Sequence, residues 1–388
     1  MKKRAYARGF AAAFIFLLLA LLAGCGGGGT KEGGQEPAKQ SEGKVYELKF
    51  ATMHPAESEM MKLNEAWKNW IEKESGGRIK ITLLPAEQAA KGTELYDAVM
   101  NGTVDIACQM IGLCPGRWPL TEVTDLPFIL DNPGSRAAAL TAWELFKKYP
   151  ELQAEHQGVK VIGFHANGLQ HIHTTKKPVR TMEDLRGMVL CTAGKYSVGA
   201  VKLLGGTPET IAPGEKYDAM AKGVVEGNLS EWEGQYAFKL YELTKYSTEV
   251  GISLYTFIHV MNLDTWNSLP PDLQQLFSDD NCRLYSMLQG YNFDKRDLEY
   301  KKQLNDYYTS KGLPGVYELP QEEREKWKAA VLPLHEEWVK AAAAKIGEEK
   351  ARAILEDAKQ LAKQFAGYPD QANPEAAQIL HGWGMEGY

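Results

Sequence analysis

Two stretches of this chain run through the same succession of periods, and that repetition restricts its fold more than any other feature. Tyr46 to Ala51 alternates polar and apolar residues, Glu59 to Lys73 sets Met60, Leu63, Trp67, Trp70 and Ile71 at helical intervals, and Arg78 to Leu84 alternates again. Glu94 to Met100 then reads as a helix and Val104 to Gln109 as a third strand. The series restarts near Val159. Met188 to Cys191 is a strand, Ser197 to Leu204 a helix ended by Gly205-Gly206, Glu215 to Lys222 a helix, and Val224-Val225 opens a strand leading to Asn228. Strand, helix, strand implies a parallel sheet with helices on its faces, so two series predict an α/β chain of two lobes, each with its own core. From Pro271 to about Lys311 no proline interrupts a rough helical spacing, which predicts one helix of roughly 60 Å running across both lobes. Glu322 to Ile346 and Glu348 to Phe365 read as two amphipathic helices of a C-terminal extension, the first with Trp327, Val331 and Trp338 on its apolar face.

The amino-terminal segment places this fold outside the cytoplasm. A basic start, an apolar run from Phe10 to Ala23 and Leu22-Ala-Gly-Cys25 have the form of a lipoprotein signal, so residues 1–24 read as a cleaved leader and Cys25 as a lipidated N-terminus. The apolar run is short of the roughly 20 residues that cross a bilayer. Residues 25–43 hold mainly glycine and charge, the composition of a flexible leash. The formal charge is −6, and loss of Lys2, Lys3, Arg4 and Arg8 with the leader makes it four units more negative. An acidic surface argues against nucleic acid as a partner. Cys108, Cys114, Cys191 and Cys282 are too few for a disulfide framework, with Cys108 and Cys114 left open as a single pair.

Catalytic signatures are missing. Gly194-Lys-Tyr-Ser-Val-Gly199 departs from the nucleophile elbow by one residue, and the chain has no HExxH, phosphate loop or GxGxxG, so no catalytic residue and no cofactor is expected. His171 and His173 share one face of a strand, a spacing that suits either a metal or an ordinary pocket wall. Ligands of open α/β sheets sit beyond the carboxyl ends of the strands, and two such lobes turn those ends toward a shared cleft. His54 and Glu57 follow the first strand, Gln88 follows the second, and Trp232 lies just past a strand of the second lobe. Trp118, in Cys114-Pro-Gly-Arg-Trp-Pro119, reads either as a pocket wall or as a plug beneath the sheet.

His173-Thr-Thr-Lys-Lys-Pro-Val-Arg-Thr-Met-Glu-Asp-Leu-Arg-Gly187, Gly205-Gly-Thr-Pro208, Glu215-Lys-Tyr-Asp-Ala219 and Gly223-Val-Val-Glu-Gly227 resemble the solute receptors of tripartite ATP-independent periplasmic (TRAP) transporters. The likeness continues through Trp232-Glu233, Glu242 to Tyr246, Val260-Met-Asn262 and Trp266 to Pro270, and in the first lobe through Thr93 to Leu95, Gly102 to Ile106 and Leu126-Pro-Phe128. It implies a two-lobed receptor with lobe I at 44–166 plus 250–291 and lobe II at 167–249 plus 292–388. Such a receptor closes on a small organic acid and delivers it to two membrane subunits that import it on an ion gradient. Receptors of this kind fix the ligand carboxylate with an arginine at the strand-end position held here by Cys191. A thiol lacks both the charge and the paired donors of a guanidinium. Either another cation replaces it, with Lys195, His171 and His173 as candidates, or Trp232, Tyr255 and Phe257 with Glu231 or Glu233 enclose a neutral or amine ligand. A third reading, taken from relatives that chelate an ion, sets Gln170 and Glu231 around a hard cation such as calcium. The expected ligand-binding set is His54, Glu57, Gln88, Trp118, Gln170, His173, Cys191, Trp232, Glu233 and Tyr255. Rival functions are a tethered sensor feeding a histidine kinase and a secreted hydrolase.

Overall fold

The alternating segments form strands, and these strands make two separate sheets. The computed structural model describes residues 43–129, 134–366 and 374–385, so the leader, Cys25 and the linker up to residue 42 lie outside the described residues. The first sheet takes β1 (Tyr46–Thr52), β2 (Ile79–Leu84), β3 (Ile106–Met110) and β4 (Val159–Ala166). The chain then crosses to β5 (His171–Thr174), β6 (Val189–Thr192), β7 (Thr207–Thr210), β8 (Gly227–Ser230) and β9 (Tyr246–Glu249) of the second sheet. It returns as β10 (Thr256–Asn262), antiparallel between β3 and β4, and later adds β11 (Tyr317–Glu318) beside β9. The spatial orders are β2-β1-β3-β10-β4 and β11-β9-β5-β8-β6-β7. Within each sheet the strand–helix–strand units pair in parallel, β1 with β2 and β3, β6 with β7 and β8.

The two crossings lie side by side and bond to each other. Gln170 N–H donates to the Ser253 carbonyl at 2.7 Å, Ile252 N–H to the Gln170 carbonyl at 3.0 Å, and Tyr255 N–H to Asn167 Oδ1 at 2.7 Å. Each sheet has its own apolar core. Phe50, Trp67, Ile106 and Ile258 are buried in the first, and Leu190, Leu229, Trp327 and Trp338 in the second. Full burial of a side chain of this size contributes about 1.5–3 kcal/mol.

The long helix runs from Asp279 to Ser310, about 48 Å, and begins later than Pro271. A short turn at Pro271–Gln274 comes first, and the chain is extended at Ser278, whose hydroxyl accepts from Asn281 N–H as the N-cap. Asp279 and Asp280 in the first turn suit the positive end of the helix. Its first half buries Tyr285, Leu288 and Phe293 against the first lobe, and its second half buries Leu304 and Tyr308 beside Trp232 of the second. The extension departs from its expected form at Pro333, which lacks the N–H a continuous helix needs and splits the first segment into Gln321–Val331 and Pro333–Ile346. The helix Glu348–Ala366 carries an apolar stripe of Ala351, Ile354, Leu355, Ala358, Ala362 and Phe365, and it lies along Ser135–Lys148 of the first lobe. The C-terminal helices therefore bridge the lobes; residues 292–388 do not belong to the second alone. Among the described residues no helix is long and apolar enough to cross a membrane. Cys108, Cys114, Cys191 and Cys282 are free thiols.

Candidate functional site

The two sheets bring their carboxyl ends to one hollow. From the first lobe come Met53, His54, Pro55 and Ser58 after β1 and Met110 at the end of β3; Tyr255 and Phe257 enter from the crossing into β10. From the second come Ala193 after β6, Pro213 and Lys216 after β7, Glu231 and Glu233 after β8, and Ala237 and Phe238 beyond. Phe293 of the long helix closes the base. The cavity volume is about 40 Å³, far under the roughly 300–1,000 Å³ of ligand pockets. Hydrogen bonds join the lobes beside it. Ala193 N–H donates to the Tyr255 hydroxyl at 3.0 Å, and Glu59 N–H, opening the helix Glu59–Glu74, donates to Glu233 Oε1 of the opposite lobe at 3.3 Å.

The first-lobe wall is neutral and aromatic. β-pairing sets Phe257 opposite His165, and their rings stack with centroids 4.4 Å apart. His165 in turn hydrogen-bonds His259 through Nδ1 and Nε2 at 2.8 Å. His54, held by the Thr52 hydroxyl at 2.8 Å, lies 5.2 Å from the Phe257 ring centroid. Burial drives the His54 pKa down to about 4 and that of His259 to about 3, so these imidazoles are uncharged at neutral pH.

The second-lobe wall carries charge. Lys216 is only 6% exposed, yet it makes no ion pair or hydrogen bond within the described residues. Burial pulls its pKa down, and Cys191, Tyr255 and Glu231 nearby outweigh that, so it stays an ammonium. Glu233 is pushed up to about 8, by burial first and then by Glu231 and Glu59. Its backbone N–H is capped by Asp297 of the long helix at 3.0 Å.

Of the expected residues, His54, Tyr255, Glu233 and Glu231 meet in this hollow. Cys191 does not line it: the thiol is 0% exposed and packs with Met220, Val225 and Leu240. Gln170 is buried at the crossing, where its Oε1 accepts from Ser197 and Ser253, and it does not line the cavity that Glu231 lines. His173 is bonded to Ser247 and to the Ser230 carbonyl, and Trp232 stacks on His171 at 4.4 Å; none of the three lines this hollow, and Trp232 and His171 line a larger groove instead. Trp118 is a plug between Tyr96 and His156. Glu57 and Gln88 are exposed loop residues. Lys195 pairs with Glu337 at 2.9 Å on the outer surface. Lys216, Phe238 and Phe293 are among the lining residues that sequence reasoning missed. Lys216 carried one signal, a cation in the first turn of a helix, against the helix dipole. A larger groove of about 800 Å³ lies behind the crossings, but its charges are largely engaged with one another, Lys301 with Glu249 and Glu318, and Asp294 with the start of the helix Ser135–Lys148.

Residues 50–341 match the family described as bacterial extracellular solute-binding protein, family 7. The C4-dicarboxylate-binding periplasmic protein DctP of Vibrio cholerae is 22% identical over 274 residues, 70% of this chain and 79% of that protein. A TRAP solute-binding protein of Rhodoferax ferrireducens, solved with copurified benzoate, superposes with a TM-score of 0.76 at 25% identity, over 83% of this chain and 99% of that one. One from a marine metagenome, specific for aromatic acids and solved with 3-hydroxybenzoate, gives 0.77 at 26% identity over the same shares. With two lobes, crossing strands, a spanning helix and a hollow between the sheet ends, and a family match over most of its length, the chain belongs to the bacterial extracellular solute-binding proteins of family 7, the solute receptors of TRAP transporters.

Proposed function

We propose that this protein is a lipid-anchored receptor outside the cytoplasm that closes on a small organic acid with an aromatic body and hands it, chemically unchanged, to the membrane subunits of a TRAP importer. The observation that carries the reading is the hollow itself, in which Phe257, Phe293, Phe238 and Tyr255 face one buried ammonium between two sets of strand ends. Apolar walls with a few placed polar groups suit a flat guest whose charge is confined to one end. The solved relatives with benzoate and 3-hydroxybenzoate support the aromatic class. The Leu22-Ala-Gly-Cys25 segment supports the anchor.

A thermal-shift screen of acids, alcohols and amines, with calcium and with chelator, tests the ligand class, because a ligand of the folded state raises apparent stability by mass action. Benzoate-like acids should shift the melting point regardless of calcium, and a bound acid should be recovered intact after denaturation. A response to amines alone, or recovery of a product, would sink the reading. For the anchor, Cys25→Ala should move the protein from the membrane fraction to the soluble one.

A further inference from the structure

We propose that Lys216 is the anion clamp of this receptor, taking the guest's carboxylate in place of a cation at the strand-end position that Cys191 occupies. The inference rests on the receptor reading above and names the group that recognises the guest's charge.

The first ground is position. Lys216 opens a short helix just beyond β7, the parallel neighbour of β6, and Cys191 at the end of β6 is close enough to act on its charge. The ammonium therefore enters the hollow beside the place that Cys191 vacates by packing into the apolar cluster of Met220, Val225 and Leu240. The second ground is the cost of burial. An ammonium out of water is unfavourable unless an anion meets it, and no ion pair of the described residues does so. Glu231 and Glu233 line the same hollow. Glu231 holds the site's net charge low and repels a second carboxylate on the guest, while Glu233, whose pKa burial raises to about 8, carries a proton. The site thus selects monoanions over dicarboxylates.

A lysine clamp differs from an arginine one in a way that can be measured. The guanidinium fork matches a planar carboxylate, whereas an ammonium is a compact charge with three rotatable donors and no fixed plane. Head-group shape should then matter little, and a tetrahedral sulfonate should be accepted as well as a carboxylate. Phe257 and Tyr255 on the facing wall, with the ring and not the head group in contact, set the guest's orientation.

The test is calorimetric titration of the full chain in detergent with benzoate, benzenesulfonate, succinate and benzyl alcohol. The wild type should bind benzoate and benzenesulfonate within about tenfold of each other and succinate more weakly. Lys216→Met should weaken benzoate at least tenfold, the loss expected for one charge-assisted bond, and leave benzyl alcohol unchanged. Lys216→Gln, which keeps a polar head, carries the same expectation should the methionine variant fail to fold. Lys216→Arg should stay within a few-fold of wild type, and adding Cys191→Arg to Lys216→Met should restore benzoate. A folded Lys216→Met or Lys216→Gln protein that binds benzoate within about twofold of wild type overturns the clamp and leaves the receptor reading standing. A wild-type protein that binds none of the acids, while melting cooperatively, overturns the receptor reading and the clamp with it.

Discussion

The two walls of the cleft are built from different chemistry. On the first lobe, Phe257 lies against His165 and His54, and every imidazole there is neutral because burial holds its pKa far below 7. On the second, Lys216, Glu231 and Glu233 bring one ammonium and two carboxyl groups to the same hollow. The difference teaches a division of labour. The first lobe supplies shape, through rings fixed by strand pairing, and the second supplies charge, on residues that follow strands and open short helices. Shape is set by the core and resists change; charge sits on segments that separate when the lobes part.

Substitutions on the shape wall should therefore cost stability first. Phe257→Ala removes a buried ring stacked on His165 and should lower unfolding stability by about 3–5 kcal/mol in a denaturant titration. A loss under about 1 kcal/mol would mean that this wall is not core. Glu231→Gln on the charged wall should change stability by no more than about 0.5 kcal/mol while altering affinity.

The charged wall should respond to pH, and the shape wall should not. Glu233, facing Glu231, Glu59, Asp297 and Lys62, has its pKa raised to about 8 by burial in the closed form, and an open cleft would return it toward about 4.3. A raised carboxyl pKa means that closure takes up a proton. Closure is favoured fully at the low end of that window and loses support as pH rises toward 8. Affinity for an acid should fall between pH 6 and 8, by at most tenfold per unit for one proton, and Glu233→Gln should flatten the profile. An unchanged slope in Glu233→Gln would assign the proton elsewhere, to Asp297 or Asp294 on the long helix, both also raised by burial.

Smaller effects sharpen the boundary between the walls. Tyr255→Phe deletes the hydroxyl that meets Thr192 Oγ1 and Ala193 N–H across the lobes, and should weaken ligand binding by roughly 1 kcal/mol, about fivefold, with the melting point of the free protein little changed. Cys191→Ala should alter affinity by less than about twofold, since the thiol lies outside the hollow. A tenfold effect would place that sulfur at the guest after all.

Elements with a local period were legible in the sequence. Met60, Leu63, Trp67 and Ile71 marked a helix, and Glu47 to Phe50 a strand, because each depends only on residues a turn or a pair away. The helix break at Ser278 was not, since an extended serine ahead of two aspartates interrupts the chain without changing its apolar spacing. The site was legible where it follows a strand end in the same lobe, as at His54 and Glu233. His171 and His173 do share a face, as their spacing required, but that face looks toward Trp232 behind the crossings. Which side of a sheet meets the cleft is decided by the other lobe. Lys216 and Phe293 were missed for the same reason: one reaches in beside a thiol some 25 positions earlier in the chain, the other arrives on the long helix, and only the packed lobes bring them together.

The most direct measurement is a crystal structure of the protein with the acid that shifts its melting point most. The guest should lie between the lobes, its head group about 2.7–3.2 Å from Lys216 Nζ and its ring against Phe257 and Tyr255. A guest seated in the groove behind the crossings, beside Lys301 and Arg324, with the hollow at Lys216 still closed, would contradict the account.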